Sequence, residues 1–223
     1  MPLKHVIRSA VGRKLFMAAT GIILFGFVVA HLLGNLSIYL GPEGINAYAR
    51  QLHQLGPILW IFRLGLIGAA ALHVLFGITL TLESRRARPV AYIRKKHLRS
   101  TLAGRTMIYS GLILATFIVF HLLHFTFRAI GPQIEMLDGG VVNVYRMIVD
   151  SFRQVGYALA YVVAMVVLFF HISHGFASLF QTMGMNNEVT LPWMGRMSRI
   201  IAVILAAGYV SIPALIFLGL VIK

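Results

Sequence analysis

Residues 154–180 read QVGYALAYVVAMVVLFFHISHGFASLF, with no Asp, Glu, Lys or Arg among them. An α-helix of that length is about 40 Å long, more than the roughly 30 Å that a bilayer's hydrocarbon core requires. The run is too long and too apolar for an ordinary helix at a water interface, so it reads as a membrane span. Four further stretches read the same way, near 15–39, 57–82, 104–127 and 197–222. The fold class that follows is an all-α membrane protein. Residues 1–223 form a single transmembrane domain of five helices, and the segments between spans are too short for a soluble domain. The first stretch reads as a span and not as a cleaved signal peptide, because it is too long and no small-residue cleavage pattern follows it.

Composition agrees. Of 223 residues, 59% are hydrophobic and 12% charged, and the mean hydropathy is +0.84. A soluble core of this size could not hide so much apolar surface, and disorder requires the opposite composition. The absence of cysteine excludes disulfides, thiolate zinc, cysteine-ligated iron–sulfur clusters and a catalytic thiol. The formal charge of +14 would point to nucleic acid in a soluble chain, but membrane proteins concentrate Lys and Arg in cytoplasmic loops. No nucleic-acid-binding motif is present, so no nucleic-acid partner is expected.

The basic residues divide unevenly. Lys4, Arg8, Arg13 and Lys14 precede the first span. Arg85, Arg86, Arg88, Arg94, Lys95, Lys96, Arg99 and Arg105 lie between the second and third, and Arg196 and Arg199 between the fourth and fifth. The opposite side carries Arg50, Arg128, Arg146, Arg153 and Lys223. The positive-inside rule places the N-terminus in the cytoplasm and the C-terminus outside. Gly41-Pro42 closes the first span, Gly56-Pro57 opens the second, and Gly131-Pro132 and Gly139-Gly140 mark the third connection. Pro213 is expected to kink the fifth span. Residues 141–152 have the spacing of a short interfacial helix.

Histidines inside spans carry the chemistry. Ionisable residues in a membrane are costly and usually functional. The first span holds His31, the second His73, the third His121 and His124, the fourth His171 and His174; the fifth has none. From the rise of 1.5 Å per residue, His31 and His121 lie roughly 25 Å from the cytoplasmic ends of their helices, and His73 and His171 only about 15 Å. The four thus form two pairs at two heights on opposite helices. That arrangement suits two six-coordinate iron porphyrins, each taking two imidazoles, held within a bundle of the first four spans. Zinc or copper gathers several ligands at one level, and no span has a central carboxylate for a bridged metal site. Gly77 and Gly175 follow His73 and His171 by four residues, on the same helix face. There the lack of a side chain lets a flat macrocycle approach the backbone, although helix packing also favours small residues. This offset prefers His171 to His174; height does not separate His121 from His124, which remain alternatives, with His124 and His174 also readable as groups of a quinone site. Outside the spans, His5 and His97 read as solvated and His53 as a surface residue or part of an outer site. Arg63, within the second span, needs a partner: a haem propionate or the interface.

The pieces Ser9-Ala-Val-Gly-Arg-Lys, Met17-Ala-Ala-Thr-Gly21, His31-Leu-Leu-Gly-Asn35, Gly41-Pro-Glu-Gly-Ile-Asn-Ala-Tyr48, His73-Val-Leu-Phe-Gly77, Phe120-His-Leu-Leu and Phe170-His-Ile-Ser-His-Gly175, running on to Ser178-Leu-Phe-Gln-Thr-Met-Gly184, lie in this order along nearly the whole chain. Together they resemble the membrane cytochrome b subunit of succinate:quinone oxidoreductases (succinate dehydrogenase and fumarate reductase), in its single-chain, five-helix, di-haem form. The resemblance implies that His73 and His171 hold the proximal haem b and His31 and His121 the distal one. It prefers His121 to His124. It implies a membrane anchor of an enzyme complex whose dicarboxylate chemistry is on a flavoprotein subunit, with an iron–sulfur subunit carrying the electrons and a quinone, menaquinone in di-haem members, exchanging them. It implies the bacterial cytoplasmic membrane and leaves room for a higher oligomer of the complex. Some relatives carry a glutamate two residues before the fourth ligand, where this chain has Phe169, and another near the outer end of the second span, where it offers Asn46, His53 and Gln54, with Glu43 further back. The residues themselves leave two rivals: a di-haem cytochrome of another membrane oxidoreductase, and a haem-free anchor or transporter.

Overall fold

The structure is a computed structural model that describes residues 9–88, 90, 101–137, 140–185 and 187–221. The basic residues Lys4, Arg8, Arg94, Lys95, Lys96, Arg99 and Lys223, together with His5 and His97, lie outside the described residues.

Helix α1 is Ala10–Asn35, capped by the Ser9 hydroxyl, which accepts from the Gly12 amide. A 3₁₀ turn, Leu36–Leu40, leads into α2, Gly41–Gln54. Gly41 takes φ 84° at this junction, a conformation that favours glycine, and Pro42 follows in the first turn of α2. Helix α3 is Pro57–Arg86 and α4 is a single turn, Leu102–Arg105. Helix α5 runs Met107–His121 and passes into a π turn, Leu122–Thr126. A two-residue hairpin, β1 (Met136–Leu137) with β2 (Val141–Val142), precedes α6, Val144–Phe152. Helix α7 is Val155–Thr182, and α8 is Thr190–Phe217, which continues through Pro213.

Among the described residues, five segments are long and apolar enough to cross a membrane: α1 with its continuation, α3, α5 with its π turn, α7 and α8. Their outward faces carry Ile23, Phe27, Ile61, Phe62, Leu64, Leu112, Val163 and Ile204 in exposed positions. Such a surface suits lipid, where helices satisfy their own backbone groups. Helix α1 packs along α3, α3 meets α5, α5 packs along α7, and α7 returns to α1. The four histidine-bearing helices therefore form a closed ring, with α1 diagonal to α5 and α3 diagonal to α7. Helix α8 lies outside it, most closely against α7. There Ser198 donates to the Ile172 and Ser173 carbonyls at 2.9 and 2.8 Å, and Tyr209 to the Val28 carbonyl of α1 at 2.7 Å.

The segment near 141–152 departs from expectation. It begins as a strand, and its helix is a core element: Tyr145, Met147, Ile148, Val149, Ser151 and Phe152 are buried. Of these, Tyr145, Ile148, Val149 and Phe152 pack with Ile38 and Ile45 from the α1–α2 region, Tyr161 from α7, and Ile212 and Ile216 from α8. The spacing marks an apolar face correctly, but that face meets protein. Asn46 of α2 and Asn143 fasten the layer: Asn46 Nδ2 donates to Asn143 Oδ1 at 3.2 Å, and the Tyr145 amide donates back to Asn46 Oδ1 at 3.2 Å.

Candidate functional site

Each diagonal of the ring carries one pair of histidines. The rings of His31 on α1 and His121 on α5 lie 5.8 Å apart between centroids, and those of His73 on α3 and His171 on α7 lie 6.3 Å apart. The pairs are at different levels. His73 and His171 sit beside Met17 and Ser110, toward the N-terminal ends of α1 and α5. His31 and His121 lie toward the opposite ends, where Phe125 and Tyr161 pack on the His121 ring. The first and third spans, and the second and fourth, thus face each other at two levels, and of the two alternatives on the third span it is the His121 ring that meets His31.

For His73 and His171 the hydrogen bonds bear on which nitrogen the ring presents. His73 Nδ1 lies 3.1 Å from the Met17 carbonyl oxygen, which can only accept, so Nδ1 carries the hydrogen. The same nitrogen lies 3.2 Å from Thr20 Oγ1, whose own hydrogen goes to the Phe16 carbonyl at 2.8 Å. His171 Nδ1 lies 3.1 Å from Ser110 Oγ, which also reaches the Met107 carbonyl at 3.0 Å; with its one hydrogen on that carbonyl, Ser110 accepts from the ring. Among the described residues neither Nε2 has a hydrogen-bond partner. A neutral imidazole with Nδ1–H presents a bare Nε2 lone pair, which is what a metal takes. His121 Nδ1 meets the Tyr161 hydroxyl at 3.2 Å. The His31 ring stacks on Phe27 at 5.1 Å.

These spacings fit two imidazoles sharing one iron. Metal–imidazole bonds of about 2.0–2.1 Å, with each ring centroid about 1.1 Å behind its nitrogen, put two rings on one iron about 6 Å apart. Among the described residues no three His, Cys, Asp or Glu side chains group as a metal site. Two protein ligands alone fall short of the four that zinc takes, whereas a porphyrin supplies the other four itself. The offset glycines fit as well. A β-carbon at Gly77 would meet nothing within 4 Å, and one at Gly175 only Met107 Cε at 3.7 Å. No neighbouring helix presses on either, so close helix packing does not account for them.

The remaining histidines separate clearly. His124 is 2% exposed and has both nitrogens engaged, Nδ1 with the Tyr161 hydroxyl at 3.0 Å and Nε2 with Ser151 Oγ at 3.0 Å. It has no nitrogen left for a metal. His174 packs against Gly104 of α4. His53 is exposed, with Nδ1 2.9 Å from the Ala49 carbonyl. Arg63 finds its partner in Trp60, its guanidinium 5.0 Å from the ring centroid. Asn46 is committed to the Asn143 tie, while Glu43 and Gln54 are exposed. Phe169 packs against the cluster of Leu32, Ile172, Ala202 and Leu205.

Sequence reasoning missed the groups that hold the rings: Thr20, Ser110 and Tyr161, with Gly21 and Gly111 beneath His73 and His171. A signal exists, since a hydroxyl residue followed by glycine, Thr20-Gly21 and Ser110-Gly111, occurs on the helix facing each inner ligand. No family model, curated protein or solved structure matches this chain.

Proposed function

We propose that this chain is the di-haem cytochrome b membrane anchor of a succinate:quinone oxidoreductase-type complex. The observation that carries the reading is the pair of histidine diagonals at two levels, 5.8 and 6.3 Å between ring centroids. His73 with His171, and His31 with His121, are the ligands. Bound there, two b haems would supply one-electron redox centres linking a soluble iron–sulfur partner to a membrane quinone, menaquinone in the family the sequence resembles.

The chain's own residues do four things. Nε2 of each histidine offers the lone pair. Met17, Thr20, Ser110 and Tyr161 fix the rings through Nδ1 and raise their basicity as ligands. The apolar ring of helices keeps water from the pairs, and the layer of α2 and α6 covers the end nearer His31 and His121. The basic segment from Arg85 to Arg99 offers a cytoplasmic face for the flavoprotein and iron–sulfur subunits, which hold the dicarboxylate chemistry, and for anionic lipid. This orientation corresponds to a bacterial cytoplasmic membrane.

The test is haem stoichiometry with a reduced-minus-oxidised spectrum on the purified complex, followed by identification of the co-purifying subunits. Two low-spin b haems per chain with flavoprotein and iron–sulfur partners support the reading. Two haems with other partners assign the chain to another membrane oxidoreductase. A folded, fully assembled preparation without haem defeats the electron-relay reading.

A further inference from the structure

Ser151, in the last turn of α6, has no exposed surface, and its one hydroxyl hydrogen is committed. Its Oγ lies 2.6 Å from the Met147 carbonyl oxygen. Two oxygens stand that close with a hydrogen between them, and a carbonyl brings none. Ser151 therefore meets His124 Nε2, at 3.0 Å, as an acceptor, and His124 carries a hydrogen on Nε2. The Tyr161 hydroxyl lies between two ring nitrogens, His124 Nδ1 at 3.0 Å and His121 Nδ1 at 3.2 Å. It has no other partner among the described residues, so its hydrogen goes to one of the two. With His124 protonated on Nε2, the bare nitrogen is His124 Nδ1, and Tyr161 donates there. Only lone pairs remain for His121, whose Nδ1 must donate and whose Nε2 is left bare.

We propose that Ser151, His124 and Tyr161 are positioning residues that lock His121 in the tautomer able to bind an iron through Nε2. The purpose of the lock rests on the di-haem reading; its hydrogen-bond logic does not. His73 needs no such chain, because a backbone carbonyl, which can only accept, fixes it directly. His121 meets a phenol, which can donate or accept and alone permits either tautomer. The chain removes that freedom by ending on the Met147 carbonyl. The His124 ring cannot turn over to reverse it: it is stacked between Phe125 at 4.1 Å and Tyr157 at 4.3 Å. Its Cδ2 edge abuts Gly131, where a β-carbon would stand 2.8 Å away.

The experiment has two arms. In the first, the full chain labelled with ¹⁵N-histidine is reconstituted in lipid, in its reduced complex, and the ring tautomers are read by solid-state NMR. Tyr161→Phe and Ser151→Ala identify the two signals. His121 with Nδ1–H and His124 with Nε2–H, opposite tautomers three residues apart, is the expected result, and His124 with Nδ1–H overturns the proposal. This arm reads the same with or without haem, so failure of the di-haem reading remains separately visible. In the second, redox titration of the Tyr161→Phe complex is expected to show the haem of the His31–His121 pair shifted to higher potential, since its ligand loses basicity. The other haem is expected to be unmoved and both to be retained. No shift, or an equal shift in both, overturns the positioning role.

Discussion

Gly111 of α5 lies directly against the ring of His171 on α7: a β-carbon there would stand 3.4 Å from His171 Cε1. Gly21 of α1 bears the same relation to His73, at 3.3 Å. In both cases the residue just before the glycine holds the ring's Nδ1. The helix that steadies each ligand thus offers a hydroxyl and a gap side by side. Gly21→Val and Gly111→Val should push the ring off its hydroxyl, at about 1–3 kcal/mol for an overpacked contact. The expected result is loss of haem from the His73–His171 pair, with the His31–His121 pair retained, read as haem per chain and as the surviving redox potential.

The diagonal geometry gives the ligand substitutions a definite pattern. His73→Ala and His171→Ala should each leave one haem per chain, with the same surviving potential. His31→Ala and His121→Ala should leave the other. Wild-type haem content in all four variants would sink the assignment.

His124 and His174 should behave oppositely. His124→Ala removes two buried hydrogen bonds and leaves the Tyr161 hydroxyl hydrogen without its acceptor, while Ser151 keeps its bond to Met147, a loss of about 2–4 kcal/mol by the usual cost of such groups. Thermal unfolding of the variant in detergent would show it. His174→Ala should keep two low-spin haems and near-native stability; loss of the His73–His171 haem there would overturn the choice of His171 as ligand.

Helix α8 offers a control outside the ring of histidine-bearing helices. A β-carbon at Gly208 would stand 2.8 Å from Leu32 Cδ2, so Gly208→Val should force α8 from α1 and cost about 1–3 kcal/mol. Because α8 bears no histidine, the folded fraction should still contain two haems, measured per chain after separation from aggregate.

The five spans were legible because lipid imposes a length and a composition that few other environments require, as residues 154–180 show. That the first span pairs with the third and the second with the fourth was legible because helix rise converts chain position into depth; the choice of His171 over His174 comes from the glycine offset, and depth leaves His121 and His124 as alternatives. Lateral arrangement has no such ruler. That His124 is walled in by Ser151, Tyr157 and Tyr161 depends on α6 folding inward, and nothing in an amphipathic nonapeptide says whether protein or lipid meets its apolar face. The Asn46–Asn143 tie joins residues 97 positions apart, beyond any local pattern. Thr20 and Ser110 were hidden for another reason: a hydroxyl within a helix ordinarily bonds its own preceding turn, as both do here while also serving a histidine.

The crossing of the two diagonals also bears on biogenesis. In chain order both histidines of the first pair are present once the third span has been made, whereas His73 waits for His171 on the fourth. Yet Tyr161, which steadies His121, is itself on that fourth span. The fourth span, α7, therefore carries both His171 of one pair and the hydroxyl that steadies the other.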